Sequence, residues 1–257
     1  MSKIKSAFEQ GKALAVFLTC GDPDLETTAA AVRAAAENGA DLIILGIPFS
    51  DPTAEGPVIQ ASNMRALGGG VTTDKIFSFV KELRRGVKIP LAFMTYANVV
   101  FSYGAERFLS QCEEAEVDGL ILPDVPLEEK EDFLPFCRSH GVDLVSLAAP
   151  APEKRLARIA AGAEGFLYIV PGPETEEAGD AFFAGLASMV ETIRQNSPIP
   201  CAVCSHLSDP EQAGKIARLA GGVIAASAAV TLLEKYGKDA PRQIGEYVKA
   251  VKEAIAQ

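Results

Sequence analysis

The sequence contains no tryptophan, only two histidines and fewer basic than acidic residues. Its 24 Lys and Arg against 34 Asp and Glu give a net charge of −10, and no segment combines basic with aromatic residues. Nucleic acid and anionic membrane surfaces are therefore excluded as expected partners. The chain also lacks an apolar run of about 18 residues and an apolar signal segment, which excludes a membrane-spanning helix and favours a cytoplasmic protein.

The five cysteines are odd in number and scattered along the chain, which excludes a disulfide scaffold and indicates a reduced, cytoplasmic protein. Cys201 and Cys204 have the spacing of a redox pair, but residues three apart in a predicted strand point to opposite faces, which disfavours that interpretation. No set of His, Cys and carboxylate residues has metal-ligand spacing. No lysine stands in a predicted strand, where a Schiff base would form. The sequence therefore predicts neither a metal nor a cofactor.

Short apolar runs alternate with helical patterns along the whole chain, and their richness in Val, Ile and Leu is typical of strands buried on both faces. Eight strands are predicted, at Leu14–Thr19, Leu42–Gly46, Leu91–Thr95, Gly119–Leu122, Asp143–Leu147, Gly165–Val170, Cys201–Cys204 and Val223–Ala226. Each strand is followed by a segment with a helical pattern, for example Glu128–Ser139 after the fourth strand. The pattern predicts a single (β/α)8 TIM barrel over residues 1–257. A doubly wound open sheet is the alternative, but Thr19–Pro23 lacks the dinucleotide-binding glycines that such a sheet needs after its first strand.

Ligands in such barrels bind where strands end, and the loop after the second predicted strand carries the most distinctive segment. This segment, GIPFSDPTAEGPVIQ at residues 46–60, resembles the signature of the tryptophan synthase alpha subunit family. Four more segments resemble blocks of that family in the same order, at Thr19–Pro23, Met94–Phe101, Leu122–Pro126 and Ser208–Gln212. The resemblance therefore covers essentially the whole chain.

The resemblance implies a TIM barrel that splits indole-3-glycerol phosphate into indole and glyceraldehyde 3-phosphate by a retro-aldol cleavage without a cofactor. In that family one carboxylate manages protons at the glycerol carbon and a second meets the indole nitrogen. Backbone amides and a serine hold the phosphate. The implied partners are a small-molecule substrate and a pyridoxal-phosphate-dependent beta subunit, which receives the indole through a tunnel.

The carboxylates that the resemblance implies are only partly present. The position of the family's catalytic glutamate is Ile44, and an alkyl side chain cannot transfer a proton. The second acid, an aspartate in the family's commonest form, is Glu55. Glutamate keeps the carboxylate, so we expect Glu55 to be a catalytic residue, with a solvated loop carboxylate as the alternative.

The phosphate-binding loops and the lid also depart from the family. Cys204-Ser205-His206 stand where the family has Gly-Phe-Gly, and Ala226-Ser227 stand where it has Gly-Ser. Ser227 and the helix behind it still predict a narrower anion site. In the lid Pro171–Asp180, Thr175 falls near the family's threonine, but the flanking glycines are missing and three glutamates would repel a phosphate.

The expected site combines these residues with pocket positions that match the family. The expected catalytic residues are Glu55, His206 and Tyr168. The expected substrate-binding residues are Phe17, Tyr96, Asp124, Thr175, Cys204, Ala226 and Ser227.

Three of these residues have alternative interpretations. His206 is a general base or anion ligand, or else a solvent-exposed loop histidine. Cys204 forms a nucleophilic pair with His206, or else is a small core residue. Asp124 acts in the site, or else belongs to a segment that faces the beta subunit.

Three functions stay open on the sequence alone. The first is an alpha-chain-like lyase whose activity is weak or lost. The second is a repurposed pocket that handles a non-phosphorylated substrate, with His206 as the base and Glu55 as the acid or as an orienting group. The third is a non-catalytic allosteric partner of a beta subunit.

Overall fold

The fold is built on eight parallel strands that close into a barrel. The computed structural model describes residues 3–9, 11–172, 179–205 and 209–257, so Thr175 and His206 lie outside the described residues. The strands are β1 (Ala13–Thr19), β2 (Leu42–Gly46), β3 (Leu91–Met94), β4 (Gly119–Ile121), β5 (Asp143–Ala148), β6 (Leu167–Ile169), β7 (Cys201–Ser205) and β8 (Gly222–Ala225). Each pairs with its neighbour in chain order and β8 pairs with β1, which confirms the predicted (β/α)8 barrel.

Twelve α-helices surround the barrel in the described part of the chain. They are α1 (Lys3–Ser6), α2 (Leu25–Glu37), α3 (Pro57–Gly68), α4 (Thr73–Leu83), α5 (Ala97–Tyr103), α6 (Ala105–Glu114), α7 (Leu134–Ser139), α8 (Glu153–Ala161), α9 (Asp180–Asn196), α10 (Pro210–Ala220), α11 (Ser227–Tyr236) and α12 (Ala240–Ala256). Within the same described ranges, 3-10 helices span Leu127–Asp132 and Gly237–Asp239. None of the helices in the described ranges is both long and apolar enough to cross a membrane.

The predicted helix Glu128–Ser139 is wrong as one continuous element. The chain instead forms the 3-10 helix Leu127–Asp132, turns at Phe133 and begins α7 at Leu134. Pro135 lies in the first turn of α7, where its missing N–H needs no helical acceptor. The 3-10 helix matters for the site because it carries Lys130, whose side chain is buried.

Alternation along each strand divides the core into two clusters, one inside the barrel and one between the barrel and the helices. Phe17, Ile44 and Tyr168 belong to the inner cluster, whereas their neighbours in sequence, such as Leu18 and Leu45, belong to the outer one. Phe17 pairs in register with Ile44 on the adjacent strand. Gly46 makes room for the Phe17 ring, because a Cβ at Gly46 would lie 2.6 Å from that ring.

The cysteines follow the same alternation. Cys201 belongs to the outer cluster and Cys204 packs against the inner one, which confirms that the two point to opposite faces of β7. All five cysteines of the chain are free thiols.

A buried ion pair joins the amino-terminal ends of two neighbouring βα units. Arg84 follows α4 and pairs with Asp118, which precedes β4, and both side chains are more than nine-tenths buried. Arg84 also donates to the carbonyl oxygens of Glu116 and Ile89. The Asp118 carboxylate accepts from the backbone N–H of Leu91 at 2.9 Å. Every part of the pair is thus satisfied, as buried charges require.

Candidate functional site

A cavity of about 730 Å³ lies at the carboxyl ends of the strands, where barrel proteins bind their ligands. Strand ends and βα loops form its wall. The expected site residues that line it are Glu55, Asp124, Tyr168, Cys204, Ala226 and Ser227. Sequence positions spread over about 170 residues are thus brought to one opening, because the parallel barrel places the ends of all its strands at the same face.

Glu55 is held at the edge of this cavity by the helix that follows it. Asn63 on α3 donates to the Glu55 carboxylate with 2.8 Å between Nδ2 and Oε2. The Gln60 side chain donates to the Glu55 carbonyl oxygen at 2.7 Å and so fixes the loop backbone. Burial raises the pKa of Glu55 to about 7, and the hydrogen bond from Asn63 opposes that rise. Glu55 is therefore poised to gain or lose a proton near neutral pH.

Tyr96 and Asp124 each hold a different backbone segment near the cavity. The Tyr96 hydroxyl oxygen accepts from the backbone N–H of Ala54 at 3.0 Å, which ties the Glu55 loop to the end of β3. Burial raises the pKa of Tyr96 to about 12, so its hydroxyl stays protonated. Both carboxylate oxygens of Asp124 accept from the N–H of Ala97 at 3.1 Å, at the first residue of α5. Asp124 thereby positions a helix while its side chain lines the cavity.

Phe17 and Tyr96, both expected to bind substrate, lie behind the cavity wall. Each is buried to 3% exposure or less, and neither lines the cavity. Phe17 is an inner-cluster residue packed on Gly46, and the Tyr96 ring stacks on Phe49 with 5.2 Å between their centroids. Their positions give them a supporting role for the wall.

Tyr168 and Cys204 come together from adjacent strands on the inner side of the cavity. The Tyr168 hydroxyl and the Cys204 thiol are near enough to influence each other's ionisation, and burial raises the pKa of both groups above their ordinary values. A raised pKa keeps the thiol protonated at neutral pH, which disfavours a thiolate nucleophile. The partner proposed for Cys204, His206, lies outside the described residues.

Ile44 lies inside the barrel, where the family resemblance implies a carboxylate. Its side chain is fully buried among apolar residues of the inner cluster, and it pairs in register with Phe17 and Ala92. No proton can be exchanged at this position.

Ala226 and Ser227 lie where β8 ends and α11 begins, and only β1 separates β8 from β2, whose following loop carries Glu55. Ala226 caps the helix and Ser227 is its first residue. The first N–H groups of a helix have no partner within the helix and carry partial positive charge. This helix end is therefore one element of the cavity suited to an anion.

Sequence reasoning missed Asn63 and Lys130. Asn63 lies three residues beyond the signature segment, and the fold of α3 brings it to Glu55. Lys130 stands in the charged run Glu128–Asp132, a pattern that indicates a solvated surface, yet it is 7% exposed and lines the cavity. Pro135 is the local signal in the sequence that could have indicated a helix boundary after Lys130.

Removing the Glu55 charge is expected to stabilise the folded protein at alkaline pH. Because the folded pKa lies above the ordinary value of 4.5, the folded state holds a proton between about pH 4.5 and 7 that the unfolded state releases. Stability therefore falls as the pH rises through this range. Glu55→Gln should be more stable than wild type by on the order of 1 kcal/mol at pH 8 and nearly equal at pH 4.5.

Thermal unfolding at both pH values measures this difference. The control is Glu211→Gln on α10, because the Glu211 side chain is exposed and pairs only with Lys215 in the described structure. A Glu55→Gln stability difference that is the same at both pH values would contradict the buried, proton-holding state of Glu55.

These features define a (β/α)8-barrel protein with a small-molecule cavity at the carboxyl ends of its strands. A family model described as tryptophan synthase alpha chain matches residues 3–256. The chain therefore belongs to the tryptophan synthase alpha chain family.

Individual relatives agree with this assignment over the full length. The chain is 40% identical to the tryptophan synthase alpha chain of Lacticaseibacillus casei, with 99% of this chain and 96% of the relative covered. It is 41% identical to that of Geotalea uraniireducens, with 99% and 98% covered. The solved structure of the alpha subunit from Legionella pneumophila superposes with a TM-score of 0.90 at 31% identity, with 100% and 99% covered.

Proposed function

We propose that this protein binds an indole-bearing substrate at the barrel mouth, as its family implies, and that its indole-3-glycerol phosphate lyase activity is weak or lost. The observation that carries the proposal is the combination of an alkyl side chain at Ile44 with a carboxyl group at Glu55. One of the two positions for an acid or base holds a buried alkyl group, and the other holds a carboxyl group with a pKa near 7. A free-thiol protein of this kind fits a reducing, cytoplasmic location.

Glu55 suits the indole end of the substrate. Its ionised form accepts an indole N–H, and its protonated form is populated at neutral pH because burial raises its pKa. The loop is held from two sides, by Asn63 and by Tyr96, so the carboxyl group is oriented before a ligand arrives. Preorganisation of this kind favours binding because less freedom is lost.

The glycerol end lacks a comparable group. Retro-aldol cleavage needs one group to take the hydroxyl proton and another to manage the proton at the indole ring, and one carboxyl cannot serve both ends at once. Ile44 supplies neither, and burial raises the pKa of the nearby Tyr168 hydroxyl and Cys204 thiol, so both stay protonated at neutral pH and neither offers an anionic base. These residues therefore support binding and orientation of the substrate, but not full acid–base catalysis of its cleavage.

Binding of indole tests the first half of the proposal. Because the chain contains no tryptophan, the fluorescence of added indole reports its binding without an indole background from the protein. Glu55→Gln is expected to weaken indole binding about tenfold at pH 8, since a charge-assisted hydrogen bond becomes a neutral one. The matched control Glu211→Gln should bind indole as wild type does. Equal affinity of wild type and Glu55→Gln would contradict the assigned role.

We further propose that the protein docks on a tryptophan synthase beta subunit through the face that carries Phe101. Phe101 on α5 is 55% exposed although large aromatic side chains are usually buried, and its ring lies 4.7 Å from that of Phe133. Rigid exposed aromatics are typical anchors of protein interfaces. The Asp124 bond to Ala97 fixes the helix that presents Phe101.

Phe101→Ala is expected to raise the Kd for a purified beta subunit at least tenfold in analytical ultracentrifugation. Tyr236→Ala is the control, because Tyr236 is an exposed aromatic on α11 and its loss should leave the Kd unchanged. An unchanged Kd for Phe101→Ala would refute this face as the docking surface.

A further inference from the structure

Part of the cavity lining comes from residues outside the inner cluster, and we call this part of the cavity the outer lobe. Its walls come from the core layer between the barrel and the helices, whereas Tyr168 and Cys204 belong to the inner cluster. The outer lobe is lined by Leu127, Lys130, Leu144, Ser146, Arg155 and Ile159. None of these residues belongs to the indole-binding site proposed around Glu55.

A buried ammonium group lies in the wall of the outer lobe. Lys130 is 7% exposed, and its Nζ donates to the Ser146 hydroxyl oxygen at 2.8 Å and to the Gly162 carbonyl oxygen at 2.9 Å. An ammonium has three N–H donors, so one is left over. Within the described parts of the chain, no carboxylate oxygen lies within 4.0 Å of this Nζ.

Buried charges in proteins are ordinarily paired, because an isolated charge loses its hydration without compensation. Burial lowers the pKa of Lys130 below its ordinary value, and the more distant Glu164 only partly opposes this. An anion in the outer lobe would supply the missing counter-charge. The Ser146 oxygen that accepts from Lys130 still has its own O–H to donate, so the ammonium nitrogen and the hydroxyl oxygen, 2.8 Å apart, are close enough to donate to one ligand.

The other residues of the outer lobe indicate which kind of anion it could bind. Arg155 adds a second positive charge, but both of its terminal nitrogens are engaged by Glu128 at 3.1 and 3.2 Å. Leu127, Leu144 and Ile159 make the other walls apolar. A dianionic phosphate would need more donors than one ammonium and one hydroxyl, whereas a carboxylate presents two oxygens to two donors.

We propose that the outer lobe binds a small monocarboxylate with an apolar body. The carboxylate bridges the Lys130 ammonium and the Ser146 hydroxyl, and the body packs on Leu127 and Ile159. This site is distinct from the indole-binding proposal, because the hydrogen-bond partners of Lys130 and Arg155 in the described structure are Ser146, Gly162 and Glu128 rather than Glu55 or Ser227.

Benzoate and benzamide form the test pair, since they share one shape and differ in charge. In isothermal titration calorimetry at pH 7, benzoate is expected to bind wild type at least tenfold more tightly than benzamide or inorganic phosphate. Equal binding of benzoate and benzamide, tighter binding of phosphate, or no binding of benzoate would each overturn the proposal.

Variants locate the bound benzoate. Lys130→Met keeps the length of the side chain without its charge and should reduce benzoate affinity at least tenfold, whereas the surface control Lys215→Met should not change it. Thermal unfolding reports whether Lys130→Met is folded. If Lys130→Met does not fold, Ser146→Ala is the second test, and we expect it to reduce benzoate affinity threefold or more. Unchanged affinity in whichever of these two variants folds would overturn the proposal.

Discussion

Ile44→Glu is expected to raise the rate of indole release from indole-3-glycerol phosphate roughly ten- to a hundredfold over wild type. The substitution places a carboxyl group inside the barrel, where the family resemblance implies a catalytic glutamate. The wild-type side chain is fully buried and pairs in register with Phe17, so the new group would lie beside the inner wall of the cavity. The measurement is a steady-state assay of indole formation.

The gain should nevertheless stop short of the rate of an ordinary alpha chain. Cys204 and Ala226 carry side chains where the resemblance implies glycines that let backbone N–H groups approach a phosphate. A carboxyl group among the apolar residues of the inner cluster will also have a raised pKa, and its burial will destabilise the fold by several kcal/mol.

The control for this experiment is Ile44→Gln, which adds a polar group of similar size without an acid. Ile44→Gln should not increase the rate. Full recovery by Ile44→Glu alone would show that the phosphate-binding loops still function, contrary to the effect assigned to Cys204 and Ala226. An equal gain in both variants would show that the carboxyl group is not the cause.

Asp118→Ala is expected to lower the free energy of unfolding by about 3–5 kcal/mol, the usual result of leaving a buried charge without its partner. Arg84 would keep its hydrogen bonds to the Glu116 and Ile89 carbonyl oxygens but lose its only carboxylate partner in the described structure. The backbone N–H of Leu91 would also lose its acceptor at the start of β3. Urea denaturation measures the change.

A surface pair of the same chemistry provides the control for Asp118→Ala. Arg85 and Glu82 pair at 2.8 Å, and both side chains are more than 60% exposed. Glu82→Ala should therefore change the free energy of unfolding by less than about 1 kcal/mol. If Asp118→Ala costs no more than Glu82→Ala, the buried pair does not stabilise the barrel in the way proposed.

The barrel could be predicted from the sequence because its strands are buried on both faces and therefore read as continuous apolar runs. Their ends moved by only a few residues, as with β6, which is Leu167–Ile169 rather than Gly165–Val170. The helices α3 and α5 were missed because they lie within βα loops whose residues resembled a ligand-binding segment. α3 begins at Pro57, a residue that favours the first turn of a helix and could have indicated it.

The site was less predictable than the fold because it depends on contacts between distant segments. The loop position of Glu55 was visible in the sequence, but its partner Asn63 and its raised pKa depend on how α3 folds back. The burial of Lys130 could not be predicted, because it stands in a charged run and its burial depends on the tertiary structure and not on composition. Thr175 and His206 stay predictions, because both lie outside the described residues.

The rate of indole release by the purified wild-type protein tests the proposed loss of lyase activity most directly. Assayed beside the Lacticaseibacillus casei alpha chain, which is 40% identical, it should be at least a hundredfold slower, because Ile44 cannot transfer a proton. Rates within tenfold of each other would contradict the proposal, since they would show that the cleavage does not require a carboxylate at this position.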